Sequence, residues 1–191
     1  GEQDPSRAAK VLGETALLEF RAQKKGSREE IRALQLFRSK VQSIIEYKRN
    51  RAMSNDSEKN LEDEEFLSDE KLVSEQKSLD LPIIYGNEVN QLEKLLDAIN
   101  EQIAIYFEPS FLTGKDLVSA GRQQLQNVSS WEVTLTFNKE GGDKFAELTK
   151  KLAGTGRLLG IVLDGRSISE ATVGEQFKAA GISGGAATIS G

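Results

Sequence analysis

Two long amphipathic seams constrain the fold of this chain more than any other feature. The first follows a capping box formed by Ser27 and Glu30, and predicts a helix that continues to about Arg51. The second precedes Pro109, which stops it. Two such helices in one chain are predicted to pack as an antiparallel hairpin. The seam residues recur at spacings of three and four, and are Leu34, Phe37, Val41 and Ile44, then Val89, Leu92, Leu96, Ile99, Ile103 and Tyr106.

Two adjacent blocks of opposite charge accompany these seams. Residues 21–51 hold ten basic and three acidic groups, which gives +7, and residues 53–80 hold ten acidic and three basic groups, which gives −7. Opposite blocks attract at short range, within a Debye length of about 10 Å. We therefore expect a weaker helix over 60–80, near the basic helix, and a mobile turn over 53–59.

The second half of the chain mixes strands and helices. Apolar and polar residues alternate over 131–137, which predicts a half-buried strand, and one apolar face predicts a helix over 139–152. A buried strand over 158–163 leads into Asp164-Gly165, a strong hairpin signal. This part therefore reads as α+β. The other predicted elements are a helix near 4–13, strands at 15–21, 115–124 and 186–190, and a short helix at 174–180.

The composition excludes several kinds of chemistry. The chain has no His and no Cys, which removes His-based acid–base catalysis, thiol chemistry and zinc-type ligand sets. The net charge of −5 argues against a nucleic-acid binder. No apolar stretch reaches the roughly 18 residues needed to span a bilayer. Because the chain starts without Met and stops directly after a strand-like stretch, we expect it to be a fragment of a longer protein.

The residues that could carry chemistry have simpler structural explanations. The glycine-rich stretches 154–157 and 181–185 lack the spacing of a phosphate-binding loop, and turns explain them better. The acidic cluster 62–65 lacks the spacing of a calcium loop and is typical of a solvated charge run. Asp164 is favoured in its turn for backbone reasons. The sequence therefore predicts no catalytic residue, no cofactor site and no metal site.

Several blocks of sequence, in register along the chain, resemble the first extracytoplasmic domain of the SecD family of Sec translocase accessory subunits. Together the blocks cover residues 1–24 and 107–191. The long helices between them are similar in style to the cyanobacterial branch of the family. The matching blocks are GEQDPSRAAKVLGETALLEFR (1–21), LTGKDLVSA (112–120), VTLTFNKEGGDKFAELT (133–149), GIVLDGRSIS (160–169) and GISGGAATISG (181–191).

The resemblance implies an α+β fold in which a ferredoxin-like base sheet carries an inserted long helical-hairpin head. The base would comprise 1–25 and 108–191, and the inserted head 26–107. Such a head would act as a lever with hinges at the two chain crossings. Because Gly permits and Pro limits backbone rotation, the hinge candidates are Lys25, Gly26, Glu108 and Pro109.

The resemblance also implies a function. The domain would lie on the periplasmic or thylakoid-lumenal face of the membrane, anchored by transmembrane helices that these 191 residues do not contain. It would engage the emerging, unfolded preprotein and assist late translocation driven by the proton gradient, with SecF and the SecYEG channel as partners of the parent protein. It would not be an enzyme. The alternative that the residues leave open is a non-catalytic coiled-coil scaffold that docks another membrane or helical protein.

Overall fold

The computed structural model describes residues 17–53, 69–124 and 131–190. The chain divides into two compact units, which we call the helical unit (26–105) and the α+β unit (residues up to 25 and from 106 onward). The helical unit ends two residues before the expected end at 107. The predicted helix near 4–13, residues 54–59 of the predicted turn and the acidic cluster 62–65 lie outside the described residues. Met53, which was predicted to begin that turn, is helical instead.

The described residues of the helical unit form helices α1 (Arg28–Met53), α2 (Asp69–Ser78) and α3 (Val89–Ile105). Side-chain pairs join α1 to α3 in opposite directions along the chain, Arg38–Asn100 and Arg49–Glu93, which confirms the antiparallel hairpin. Lys48 of α1 also pairs with Asn87, which precedes α3, in the same sense. The predicted seam of α1 is buried throughout. On α3, Leu95 is buried and the predicted Leu96 is half-buried beside it, because the buried stripe of a helix is wider than two positions per heptad.

The acidic segment contacts the basic helix where the structure describes it. Lys40 Nζ of α1 donates to Glu75 Oε2 of α2 over 2.7 Å. Apolar burial adds to this ion pair, since Leu72 of α2 is only 2% exposed. The helical part of the predicted 60–80 segment is 69–78, and residues 60–68 lie outside the described part of the chain.

Where the structure describes it, the α+β unit has seven strands in two antiparallel sheets, packed with helix α4 (Lys139–Leu152). The strands are β1 (Leu18–Ala22), β2 (Leu112–Thr113), β3 (Leu117–Gln124), β4 (Trp131–Phe137), β5 (Leu158–Leu163), β6 (Arg166–Thr172) and β7 (Ala186–Ser190). One sheet has the order β2-β1-β5-β6, and the other has the order β3-β4-β7.

The α+β class is confirmed, while the sheet is divided differently from the single sheet of a ferredoxin-like base. The last strand, β7, pairs with β4 and not with the β1–β5 sheet. The predicted short helix at 174–180 is a single 3-10 turn over Glu175–Phe177. No full helix therefore separates β6 from β7, and the intervening glycine-rich chain crosses directly to the second sheet.

Three aromatic rings join the two sheets and the helix in one core. Phe20 of β1 meets Phe137 of β4 edge-on, with ring centroids 5.3 Å apart, and Phe145 of α4 at 6.1 Å. Phe137 and Phe145 stack at 4.9 Å. All three side chains are buried. Since one ring comes from each sheet and one from the helix, we expect the α+β unit to unfold as one body.

The turn between β5 and β6 confirms the predicted hairpin. Asp164 and Gly165 have φ of 49° and 82°, which is the backbone of a two-residue turn that Asp-Gly favours. Asp164 also uses its side chain, since Oδ1 accepts from the backbone N–H of Leu17 over 2.8 Å at the start of β1. This accounts for Asp164 as a structural residue.

The stretch 181–185 is held against the backbone of α4. Gly181, with φ of 71°, lies so close to the helix that a Cβ on it would stand 1.9 Å from the carbonyl oxygen of Ala146. The next residue, Ile182, donates its N–H to Thr149 Oγ1 over 2.8 Å, and Thr149 is fully buried. Glycine is thus required at position 181 for two reasons, the positive φ of the turn and the close approach of the α4 backbone.

Candidate functional site at the two chain crossings

The chain leaves and returns to the α+β unit through two segments that lie side by side. The segment 22–24 leaves the end of β1, and the segment 106–108 returns after α3. Lys24 N donates to Tyr106 O and Glu108 N donates to Ala22 O, each over 2.8 Å, with an antiparallel bridge between Gln23 and Phe107. Short main-chain hydrogen bonds therefore fasten the two crossings together.

Glu108, on the returning crossing, forms ion pairs with Arg157 and Lys151. We call these three residues, together with Gln23, the clamp. Its Oε1 accepts from Arg157 Nη2 over 2.7 Å, and its Oε2 accepts from Lys151 Nζ over 2.6 Å. Arg157 reaches across to the departing crossing as well, where Nε donates to the carbonyl of Gln23 over 2.8 Å and Nη2 also contacts that oxygen. One arginine therefore bridges both crossings, in the fork geometry that its planar guanidinium supplies.

The same pair of segments packs closely on β5. Phe107 is buried, and its ring lies over Gly160, where an added Cβ would come within 2.4 Å of the ring. Gln23, also buried, accepts from the N–H of Leu158 through Oε1 over 2.8 Å, and its own N–H donates to Leu158 O over 2.9 Å. The crossings are thus extensions of the β1–β5 sheet.

The four hinge candidates occupy different environments around this clamp. Glu108 is tied down at both carboxylate oxygens, and Pro109 precedes Ser110, whose Oγ lies 2.8 Å from Phe20 O. Lys25 and Gly26 form an exposed turn, with φ of 83° at Gly26 and nothing within 4 Å of the position of a Cβ there.

Sequence reasoning missed most of the clamp. Gln23, Phe107 and Lys151 belong to no motif, and Arg157 follows a glycine-rich stretch that the sequence predicts to be a turn. That stretch is the turn between α4 and β5, where Thr155 Oγ1 accepts from Arg157 N over 3.2 Å. Arg157 is more than 130 residues from Gln23, and no local pattern marks such a pair.

The clamp changes the titration of Glu108. The hydrogen bond from Lys151, with a smaller contribution from Arg157, holds the pKa of Glu108 below its ordinary value of 4.5, although partial burial opposes the shift. A carboxyl whose pKa is lower in the folded protein contributes stability above the unfolded pKa, and that contribution is lost as the pH falls through the folded pKa.

We expect Glu108→Gln to lower the free energy of unfolding at pH 7 by about 1 kcal/mol, since charge-assisted hydrogen bonds are lost at a partly exposed site. The difference from the wild type should shrink as the pH falls below about 4.5, in urea titrations at pH 7, 4 and 3. Glu175→Gln is the control, because Glu175 pairs with Lys178 at an exposed position and its change should stay within about 0.5 kcal/mol. A difference for Glu108→Gln that is the same at pH 7 and pH 3 contradicts the clamp.

Within the described ranges 17–53, 69–124 and 131–190, no cluster of three or more acidic side chains is placed to hold a metal ion. No helix in the same ranges combines the length and the apolar character needed to cross a bilayer.

Comparison with known proteins places the chain in a family. The family model described as "SecDF, P1 head subdomain" matches residues 87–191. The chain is 55% identical over its whole length to the protein translocase subunit SecD of Prochlorococcus marinus, of which it covers 38%. It is 36% identical, again over its whole length, to SecD of Synechocystis, of which it covers 34%. A solved structure described as "a membrane component SecDF that enhances protein export" aligns over 99% of this chain and 62% of its own length, with 26% identity and a TM-score of 0.44.

This is an α+β domain of a protein-translocation subunit. The chain belongs to the SecDF P1 head family, and the resemblance to SecD predicted from the sequence, including its cyanobacterial character, is confirmed. It spans little more than a third of the curated relatives that it matches. The head of the family description is 87–191, which is helix α3 and most of the α+β unit, and not the inserted helices 26–107 that were expected to be the head.

Proposed function

We propose that this domain works on the periplasmic or thylakoid-lumenal face of the membrane as part of a Sec translocase accessory subunit. There it engages the emerging, unfolded preprotein and assists its late translocation, driven by the proton gradient. Its partners are the preprotein and, through the parent protein, SecF and the SecYEG channel. The role is mechanical, with no reaction catalysed by the domain itself. Family membership supports the setting, and the fastened pair of crossings supports the mechanism.

The mechanism is supported by the contrast between the hydrogen-bonded crossings and the exposed turn next to them. The two segments that join the helical unit to the α+β unit are hydrogen-bonded to each other, with 2.8 Å between Lys24 N and Tyr106 O. The exposed Lys25-Gly26 turn adjoins one of them in sequence. We assign Lys25 and Gly26 as the rotating hinge, because Gly26 already has positive φ and open space around it. Glu108 and Pro109 are the fixed side of that hinge, because the clamp and the proline ring restrict them.

The proposal is tested by removing the helical unit from the full-length parent protein. Residues 27–105 are replaced by a short Gly/Ser linker, which can bridge the gap because Lys24 and Tyr106 are hydrogen-bonded neighbours. We expect late preprotein export to be impaired in a pulse-chase assay, with partly translocated chains accumulating, since the lever is gone.

The matched control is the same replacement in the isolated 191-residue chain. There the α+β unit should keep a cooperative thermal transition, because its core residues come from outside 27–105. Normal export by a stably expressed deletion protein would overturn the lever role of the helical unit. An unfolded control would instead show that the helical unit is needed for the α+β core.

A further inference from the structure

A cavity of about 480 Å³ opens within the α+β unit, between its two sheets. This volume is in the range of ligand sites, about 300–1,000 Å³. Its walls come from the ends of β5 and β6, from β7 and from α4. The lining residues used below are Phe145, Leu159, the run 170–173, Ile182, Ala187 and Thr188.

The cavity lies along the edges of strands. Glu170, Ala171, Thr172 and Val173 line it consecutively, as do Ala187 and Thr188 on β7. Successive side chains of a strand point to opposite faces, so a consecutive run can border one cavity only along the edge of the strand. Both β6 and β7 are terminal strands of their sheets, and in the described part of the chain no further strand pairs with either outer edge.

The floor of the cavity is apolar, and the charge at its wall is negative. Phe145, Leu159 and Ile182 supply the floor. Among the described residues that line it, Glu170 is the only ionisable side chain, and its Oε1 accepts from Ser167 Oγ over 2.5 Å. An acidic ligand is therefore disfavoured, and an uncharged or basic one is favoured.

We propose that this cavity receives an extended, predominantly apolar segment of an unfolded polypeptide, which adds as a strand to the edge of β7. The inference rests on the proposed function and names the site of engagement. A sheet edge offers alternating backbone donors and acceptors, which pair with any extended chain whatever its sequence. The apolar floor holds alternate side chains. Such a site suits a partner that must grip many sequences in turn.

The first test uses a fluorescent pentapeptide, dansyl-Val-Thr-Val-Thr-Val-amide, and the intact 191-residue chain. Fluorescence anisotropy should show saturable binding. An analogue N-methylated at its three central residues keeps the side chains but loses those three backbone N–H donors, and should bind at least tenfold more weakly. Equal affinity for both peptides, or no binding of the first, would overturn strand addition.

Two tryptophan substitutions on β6 form a matched pair. Ala171→Trp fills the cavity and should weaken peptide binding at least tenfold. Ile168 is on the same strand, is 55% exposed and does not line the cavity. The affinity of the Ile168→Trp variant for the peptide should therefore stay within twofold of the wild type. Equal weakening by both substitutions, or by neither, would overturn the assignment of the site. The N-methylated peptide keeps the proposal testable if Ala171→Trp fails to fold.

The second test uses the full-length parent protein during export, with the photo-crosslinker p-benzoylphenylalanine at position 172, 188 or 168. Crosslinks from 172 and 188 to an arrested preprotein, with none from 168, would support the cavity as the binding site. Crosslinks to preprotein from 168 but not from 172 or 188 would overturn the cavity as the binding site and leave the proposed function standing. Crosslinks from 172 and 188 to another segment of the parent protein alone would also overturn it. An absence of preprotein crosslinks at all three positions, together with normal export by the 27–105 replacement, would count against both proposals.

Discussion

Gly181→Ala is expected to destabilise the α+β unit by about 2–5 kcal/mol, because it combines two separate costs. A side chain at φ of 71° costs about 1–2 kcal/mol, and the clash at 1.9 Å with the carbonyl of Ala146 adds a further 1–3 kcal/mol or more. The carbonyl belongs to the backbone of α4, so no side-chain rotation relieves the clash. The measured melting temperature should fall on the order of 15 °C.

Gly165→Ala separates these two costs. Gly165 has φ of 82° but nothing within 4 Å of the position of a Cβ. The substitution should therefore cost only the backbone part, about 1–2 kcal/mol. Equal losses for the two variants would show that close approach to α4 does not matter at Gly181. In that case the 181–185 stretch would be a turn and no more.

Phe20→Ala is expected to cost about 3–5 kcal/mol, since a buried aromatic ring leaves a cavity at the meeting point of both sheets and α4. Urea unfolding measures the loss. Native-state hydrogen exchange should show it at the amides of β1, β4 and α4 alike, because the three rings belong to one core. Amides of α1, in the helical unit, should keep their protection.

Phe111→Ala is the matched control for the aromatic core. Phe111 is 51% exposed in the same unit, and its truncation should change stability by no more than about 0.5 kcal/mol. Loss of protection at β1 that spares β4 after Phe20→Ala would contradict the single core. It would show that the two sheets open separately.

Local patterns predicted the elements well because their causes are local. The heptad spacing of α1, the alternation of β4 and the Asp164-Gly165 turn each depend on residues a few positions apart, and the structure confirms them. The prediction of which residues a helix buries was less accurate, because it depends on how the helix is rotated against its partner. The choice between Leu95 and Leu96 on α3 depends on how wide a stripe the partner helix covers, which the sequence of α3 alone does not contain.

Long-range pairing accounts for what the sequence did not reveal. The division into two sheets depends on β7 choosing β4 as its partner, 50 and more residues away. The clamp likewise depends on Arg157 meeting Gln23 and Glu108, residues that no spacing rule connects. Gly160 is also explained by a distant residue, because the ring of Phe107 lies over it and leaves no room for a side chain. The sequence therefore does not indicate what fastens the two crossings.

The pairing of the two crossings has a mechanical consequence. Both segments emerge from the same end of an antiparallel pair, so a force that pulls both equally passes along the strands into the β1–β5 ladder. The hydrogen bond from Lys24 N to Tyr106 O and the bridge from Gln23 to Phe107 then carry almost no tension. A force along one segment alone makes that segment slide against the other and loads these bonds together, in shear. The bonds between the two crossings therefore bear load only when the tension on the two segments is unequal.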